Sequence, residues 1–447
     1  MDDLSSFSAC VYDYGYSIPL ARRLAREFGR VQYFRPWKET EPETVKLAVG
    51  TGFPDIERVR HFSDAIAEND IFIFPDIYDG DLQRDLVNRG KRVWGSRKGD
   101  RLEYDRPFFL RTLEDIGLPV PEWKVIQGVD ELEKFCLDNQ GWWIKLNLRG
   151  DDETWKHERW DFTQRRIEAY RHRWGPIAND ISFTAVKHID TEIEAAYDGF
   201  LVTSADGLPQ FPEIGFLGYE HKNLSHILTA IPYEDFPESV RAVNDKFAPV
   251  AAKYFVRSAF GTEVKIHVDE KGNETDYFLD ATMRQPSPPG EIIMEQVSNL
   301  GAFFWHGSIG ESIPLEIEDQ FGVQVVLYSE CSKSNWCPVE FPEEIDRWVK
   351  ITRCCFRDGM NQIIPDVSVS GKFEGIERVG SVVALGDTIQ KAIDLAKEYC
   401  GQIDGASITN EVDSLAEVLR RIHEGEKLGI EFTDQKVPEP ASIIEES

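Results

Sequence analysis

The chain has 447 residues, too many for one ordinary core, and a net charge of −29 from 50 Lys and Arg against 79 Asp and Glu. Such acidity repels nucleic-acid backbones and argues against general DNA or RNA binding, while 41% hydrophobic and 12% aromatic content predict folded cores. No apolar run reaches the ~20 residues of a membrane span, the acidic start M-D-D-L-S-S is unlike a signal peptide, and seven scattered cysteines without a C-x-x-C pair favour reduced thiols, so a cytoplasmic protein is expected.

Residues 8–100 read as alternating strands and helices. Ala9–Tyr12 forms an apolar strand, Pro19 opens a helical pattern that Gly29 stops, and Val31–Phe34 forms a second strand. Ile71–Asp76 reads as a buried parallel strand, Asp81–Asn88 as a helix, and Arg92–Trp94 as a last strand ending at Gly95. The expectation is a small doubly wound βαβ domain over 1–100, without the G-x-G-x-x-G turn of a dinucleotide site.

A helix then carries Leu102, Phe109, Leu110, Leu113 and Ile116 at helical spacing and stops at Gly117, before Pro119 and Pro121. Asp130–Asp138 reads as a helix and Trp142–Leu146 as a strand. The stretch from Glu153 to Trp174 is expected to be mostly helix. It interleaves Lys156, Arg159, Arg165, Arg166, Arg171 and Arg173 with Trp155, Trp160 and Trp174. Such a pattern binds phosphates and stacks bases, or is an amphipathic helix whose arginines pair with the chain's many acids.

Ile181–Val202 reads as two strands joined by a polar turn at Asp190, and two alternating strands flank the turn Glu270–Asn273 as a hairpin. The second ends in Asp280, Thr282 and Arg284. In a strand these alternate positions share one face, presenting a carboxylate and a hydroxyl that suit Mg²⁺ and a guanidinium that suits a phosphate or carboxylate. More strands and the helix Asp387–Tyr399 follow, and the tail from Gln435 is expected to be disordered.

Four segments, in order, resemble the ATP-grasp superfamily, and within it glycinamide ribonucleotide synthetase (phosphoribosylamine–glycine ligase), over roughly residues 8–430. G-S-R-K-G-D…G-L-P-V-P (95–121) is similar to the family's G-x-S-K…G-I-P-T, and G-Y-E-H-K-N (218–223) to its D-H-K-R. L-D-A-T-M-R (279–284) resembles L-E-x-N-x-R, and 378–396 resembles its C-terminal G-x-V-x-x-V-x-G-x-T motif. The resemblance implies an α/β and α+β chain. It would have the βαβ domain, a two-lobed ATP-grasp body over 101–310, a small α+β C-terminal domain over 311–434, and the tail 435–447.

It implies an ADP-forming ligase that joins a carboxylate to an amine through an acyl phosphate, with ATP and Mg²⁺ as cofactors and small molecules as partners. Lys145 and Arg106 would contact ATP phosphates, and the backbone at Val186 and Lys187 would recognise adenine. Glu192 would hold the ribose, with Glu194 on the same strand face as competitor. Asp280, Thr282 and Glu263 would bind the metal, and Arg284 and Lys222 would face the reacting groups, with His221 a further candidate. Two segments depart from the family: N-L-S-H-I-L-T-A stands where it has G-P-N-T-G-G-M-G, and Q-P-S-P-P-G-E where it has F-G-D-P-E. The phosphoribosylamine acceptor is therefore not expected. The competing expectations are a catalytically impaired binding or scaffold protein, and an enzyme acting on a nucleotide or nucleic-acid base.

Overall fold

The structure is a computed structural model that describes residues 3–36, 47–147, 153–191, 194–365 and 377–444. Its first sheet is parallel and five-stranded: β1 (Ser8–Tyr12), β2 (Arg30–Phe34), β3 (Glu57–Val59), β4 (Ile71–Ile73) and β5 (Arg92–Trp94), in the order β3-β2-β1-β4-β5. Alternation along the strands sends Ala9, Val11, Ile71 and Ile73 to one core, and Cys10, Tyr12 and Phe72 to another. Burial on both faces is why these strands read as continuous apolar runs. Trp94, at the end of β5, stacks on Phe304 with centroids 4.6 Å apart, and Gly95 N–H donates to Arg257 O at 2.7 Å. These contacts seat the parallel sheet against the rest of the chain.

A small antiparallel sheet follows, made of β6 (Trp123–Gln127), β7 (Trp142–Leu146), β8 (Thr154–His157) and β9 (Ser182–Lys187), in the order β6-β9-β7-β8. One face packs Ile126, Ile144, Leu146, Trp155 and Phe183 under the helices Val129–Asp138 and Trp160–Trp174. The helix expected from Glu153 therefore begins only at Trp160. Thr154–His157 is an edge strand because it alternates, with Trp155 and His157 inward and Thr154 and Lys156 outward.

The large sheet has ten strands: β10 (Glu194–Thr203), β11 (Pro209–Gln210), β12 (Ile214–His221), β13 (Ser225–Pro232), β14 (Arg257–Val268), β15 (Glu274–Thr282), β16 (Phe321–Ser329), β18 (Val349–Ile351), β21 (Glu377–Gly386) and β23 (Ile408–Asn410). Its main order is β15-β14-β10-β12-β13-β16-β21-β18. The strands before and after Asp190 thus enter different sheets instead of pairing with each other. Strands from 311–434, expected in a separate domain, continue this sheet through the β13–β16 pairing. A further four-stranded sheet joins β17 (Cys337–Glu340), β19 (Cys354–Arg357), β20 (Met360–Ile363) and β22 (Asp404–Gly405). Residues 435–444, expected to be disordered, are packed: Val437 and Ile443 are buried, and Lys397 Nζ donates to Ile443 O. Their apolar side chains outweigh the Pro- and Glu-rich composition that suggested a free tail. No helix among the described residues is long and apolar enough to cross a membrane.

Candidate active site

One face of the large sheet is covered by the helices Glu238–Ala252 and Leu415–Lys427; Asn244 meets Thr262 there, and Gly425 lies against Tyr219. The other face carries the charges. Opposed residues of neighbouring strands share a face, so the pairings Glu194↔Lys265, Ala196↔Glu263 and Asp198↔Gly261, with Glu263↔Asp280 and Gly261↔Thr282, place Glu194, Asp198, Glu263, Asp280 and Thr282 together.

A bulge makes this possible. Val264 pairs with Phe278 but Glu263 with Asp280, leaving Leu279 as the extra residue. Phe278 can then be buried against Phe109 and Phe247 while Asp280, two residues later, looks into the cleft. A regular strand would send both the same way. Past β15 the chain turns, so Arg284 is not on the strand face that Asp280 and Thr282 share. Its Nε donates to Glu103 Oε1 at 2.7 Å, and Met283 N–H donates to Glu103 Oε2 at 2.6 Å. Arg284 instead approaches Asp76, three residues past β4, whose carboxyl burial pushes up to about 6 against the opposing pull of Arg284.

Asp280 is gripped from two other elements. Arg106, first residue of the helix Arg106–Asp115, donates Nη1 to Asp280 Oδ1 at 2.7 Å and also to Leu279 O in the bulge. Lys145 crosses from β7 of the small sheet and brings Nζ to 3.9 Å from the same oxygen. The side chain of Asp280 is 46% accessible, yet protein surrounds it, as expected on the floor of a cleft. Burial works against its charge, but Arg106, Lys145 and Lys222 outweigh it and hold its carboxyl below the ordinary range. The effect on Glu263 is opposite: burial, then Glu194, Asp280 and Glu220, raise it well above the usual value.

The small sheet therefore offers a cation and the large sheet a crowded set of carboxylates. Among the described residues no three or more His, Cys, Asp or Glu side chains form a ready metal cage. Glu263 and Asp280 nevertheless fit magnesium, which needs only one or two carboxylates and takes its other oxygens from water and phosphate. Their mutual repulsion is the condition a divalent cation would relieve. Thr282 sits one pairing further along the same face, beside Gly261.

The remaining expected residues are dispersed. Val186 is buried against the main core, facing the large sheet. Lys187 is exposed, its Nζ 3.3 Å from Glu122, and its N–H donates to Glu122 O at 2.8 Å. That amide is already used, as is that of His188, which donates to Gly141 O at 2.9 Å. Ile189 N–H donates to no backbone carbonyl among the described residues. Glu192 lies outside the described residues. Glu194 stands in the cleft, 3.9 Å from Lys265.

Lys222 lies exposed in the tight β12–β13 connection, where three residues, 222–224, replace the longer family segment. Gly218 in the same motif is glycine for a packing reason: a Cβ there would stand 2.3 Å from His226 Nε2. His221 ends β12 with its Nδ1 buried and unpartnered among the described residues.

Several arginines of the basic-aromatic stretch are paired within the chain. Arg166 pairs with Glu153, Arg171 with Asp130 and Glu133, and Arg159 with Asp161, while Trp155 is buried and bonded to Tyr170. A cavity of about 450 Å³ opens elsewhere, between the helix Ile18–Leu24 and β18. Its cations Arg22, Arg26, Arg347 and Lys350 already hold carboxylates, so it lacks the free charge of the cleft.

Two cleft residues escaped the sequence reading, although period two would have found both. Asp198 follows Ala196 and Glu194 on the same face of β10. It is 8% exposed, has no hydrogen-bond partner among the described residues, and is raised to about 7 by burial and by Glu220. Trp143 precedes Lys145 by two residues on β7 and is 40% exposed.

No protein-family model matches the chain, and no curated protein matches it by sequence. Solved structures do match it in fold. Phosphoribosylamine–glycine ligase from Thermotoga maritima aligns over 90% of this chain and 98% of its own, with TM-score 0.62 and 15% identity. Biotin carboxylase from Campylobacter jejuni, solved as a beta-gamma-ATP complex, aligns over 90% and 92%, with TM-score 0.60 and 14% identity. N5-carboxyaminoimidazole ribonucleotide synthetase from Thermotoga maritima aligns over 90% and 99%, with TM-score 0.54 and 13% identity. The chain has the ATP-grasp fold these proteins share.

Proposed function

We propose that this chain is an ADP-forming ligase that activates a carboxylate with ATP and joins it to an amine. The observation that carries this is the grip on Asp280: a lysine from one sheet and an arginine from a separate helix meet a carboxylate of the other sheet across an open cleft. Lys145 sits where ATP phosphates would lie between the lobes. Asp280 and Glu263 would hold magnesium, with Thr282 beside them, and the ion would neutralise phosphate charge as the γ-phosphoryl group moves. Arg106 contributes by fixing Asp280 and the bulge, because its guanidinium is committed to them.

In the first step a substrate carboxylate oxygen attacks the γ-phosphorus, the bond to ADP breaks, and an acyl phosphate forms. In the second an amine attacks the acyl carbon, phosphate leaves with the bonding electrons, and the amine loses a proton. Lys222, in the connection after β12, and Arg284, just past the end of β15, would meet the anionic groups. Asp198 lies on that face between the metal pair and the seam with the parallel sheet, since Phe200, two residues on, packs against Trp94 with centroids 6.0 Å apart.

ADP release measured against panels of carboxylic acids and amines tests the reading, with hydroxylamine as a general trap for any acyl phosphate. Lys145→Ala should weaken nucleotide binding by about tenfold or more, since the loss of one buried charged contact to phosphate is worth about 1.5–3 kcal/mol. Unchanged ADP affinity by calorimetry would remove Lys145 from the site. With the family's Gly-rich segment replaced by a tight connection, efficient ligation of glycine to phosphoribosylamine is not expected, and rescue of a strain lacking that activity would contradict this. The commitment of Arg106 to Asp280 favours a second reading, nucleotide binding without turnover. Binding of Mg-ATP with no ADP release from any substrate pair would select it.

A further inference from the structure

Asp198 is surrounded by groups that cannot serve it. Its neighbours on the same face of β10 are Ala196 and Phe200. Across the sheet it pairs with Phe216 of β12 on one side and with Gly261 of β14 on the other. Phe216 is fully buried, and Phe200 packs against Trp94 in the seam with the parallel sheet. Three sides of the carboxylate are therefore apolar. Only 8% exposed, Asp198 makes no hydrogen bond or ion pair among the described residues. A buried polar group in that condition costs free energy until something arrives to pair with it.

The fourth side is bare. A Cβ on Gly261 would stand 3.0 Å from Asp198 Oδ1 and 3.4 Å from the Cβ of Thr282, which pairs with Gly261 from β15. The carboxylate thus leans over the glycine toward Thr282. One pairing further along, Ala196 lies beside Glu263 and Asp280. The two small residues leave the backbone uncovered between Asp198 and the place where magnesium and the transferred phosphoryl group would be held. No cation of the site is spent on Asp198: Lys145 and Arg106 reach Asp280, and Lys265 lies by Glu194. The charge that acts on it is another carboxylate, Glu220 of β12, which together with burial raises its carboxyl to about 7. An aspartate so placed holds a proton more readily than an ordinary one. Its surroundings call for a cationic group that donates hydrogen bonds.

We infer that Asp198 receives the amine substrate as its ammonium ion and takes the proton that frees the nitrogen lone pair for attack. The inference rests on the ligase reading above. The lone pair then forms the bond to the acyl carbon, the bond from that carbon to the phosphate oxygen breaks, and phosphate leaves with the electron pair. An ammonium group loses two protons in becoming an amide nitrogen. One goes to Asp198 and the other to the departing phosphate, and Asp198 afterwards returns its proton to water. The acceptor class this implies is a primary amine or ammonia, cationic at neutral pH.

The test compares two small nucleophiles on the full chain, with ATP, magnesium and the carboxylate that releases most ADP in the panel above. Ammonium chloride supplies a nitrogen that is charged at neutral pH, whereas hydroxylamine is nearly as small and largely uncharged there. Asp198→Asn keeps the shape of the side chain. It should lower amide formation from ammonium by about 100-fold or more, as loss of a positioned base does, with hydroxamate formation staying within about threefold of wild type. The deficit should shrink as pH rises, because free ammonia then reaches the acyl phosphate without the help of Asp198. Equal losses with both nucleophiles would make Asp198 merely structural, and ammonium turnover within about threefold of wild type would show that it takes no proton; either result overturns the inference. So would a wild type that forms hydroxamate but no amide from ammonium. If wild type forms neither product from any carboxylate, the ligase reading itself fails and takes this one with it.

Discussion

Asp280→Asn should remove ATP turnover by about two orders of magnitude or more while leaving the fold intact. A carboxylate ligand to a cation bridging phosphates acts where charge moves in the transition state, and losing several kcal/mol there is a hundredfold or greater loss in rate. The asparagine keeps the shape and one oxygen, so Arg106 can still bond to it and to Leu279 O. Arg106, whose side chain is only 9% accessible, loses its counter-ion but keeps neutral acceptors in the asparagine oxygen and Leu279 O, so a modest loss of stability is expected in a chain that still folds. Three cations nearby, Arg106, Lys145 and Lys222, then lose their shared anion. Metal-free nucleotide should consequently bind the variant at least as well as wild type, while the magnesium complex gains less. Turnover within a few-fold of wild type would show that Asp280 only anchors Arg106. The metal would then have to be sought around Glu263 and Glu194.

Much of this arrangement could be read from residue order. The parallel sheet was legible because its strands are short apolar runs separated by helix starts and stops, and the hairpin around Glu270–Asn273 because its strands alternate. What alternation could not show was the bulge at Leu279. A two-residue period predicts that Phe278 and Asp280 share a face, and only the extra residue lets one be core and the other cleft. Arg284 was misplaced for a related reason: the strand ends at Thr282, and Glu103, 181 positions earlier in sequence, decides where the guanidinium goes. The Thr154–His157 strand was hidden by an unbroken helix-compatible composition, and it exists because β7 offers an edge for it to pair with. Backbone recognition near Val186 leaves no side-chain trace. The sequence could suggest the neighbourhood but not that Lys187 and His188 had spent their donors. The joining of β13 to β16 is long-range pairing, invisible to any local pattern, and it puts strands from both sides of residue 310 in one sheet.

The largest stability effect is expected far from the cleft, at Glu295. Its side chain is fully inaccessible, yet it is ionised among cations: Lys350 Nζ donates to Oε1 at 2.6 Å, and Arg26 Nη1 and Arg347 Nε each donate to Oε2 at 2.7 Å. Burial alone would raise its pKa, but Lys350 and Arg26 bring it from 4.5 down to about 2. Lys350 is not stabilised in equal measure. Burial, with Arg26 and Arg22, holds its own pKa below the ordinary lysine value despite Glu295. The asymmetry is physical, since the carboxylate sees three cations and the ammonium sees one anion and several like charges. A carboxyl with a depressed folded pKa stabilises the protein above its unfolded value. That contribution, on the order of 3 kcal/mol, should be lost as pH falls from about 4.5 toward 2. Glu295→Gln at pH 7 leaves Lys350 buried without its anion and should cost about 3–5 kcal/mol, measured by denaturant unfolding. Adding Lys350→Met should recover much of the loss, because the second change removes the stranded charge. Arg26 follows the first helix of the parallel-sheet domain, and Lys350 lies on the last strand of the large sheet's main order, so this network ties the two together. The acid-induced loss of stability should be shallower in Glu295→Gln than in wild type. A destabilisation below about 1 kcal/mol at pH 7 would mean that the arginines and solvent relax around the change, and that the junction is held by its apolar packing instead.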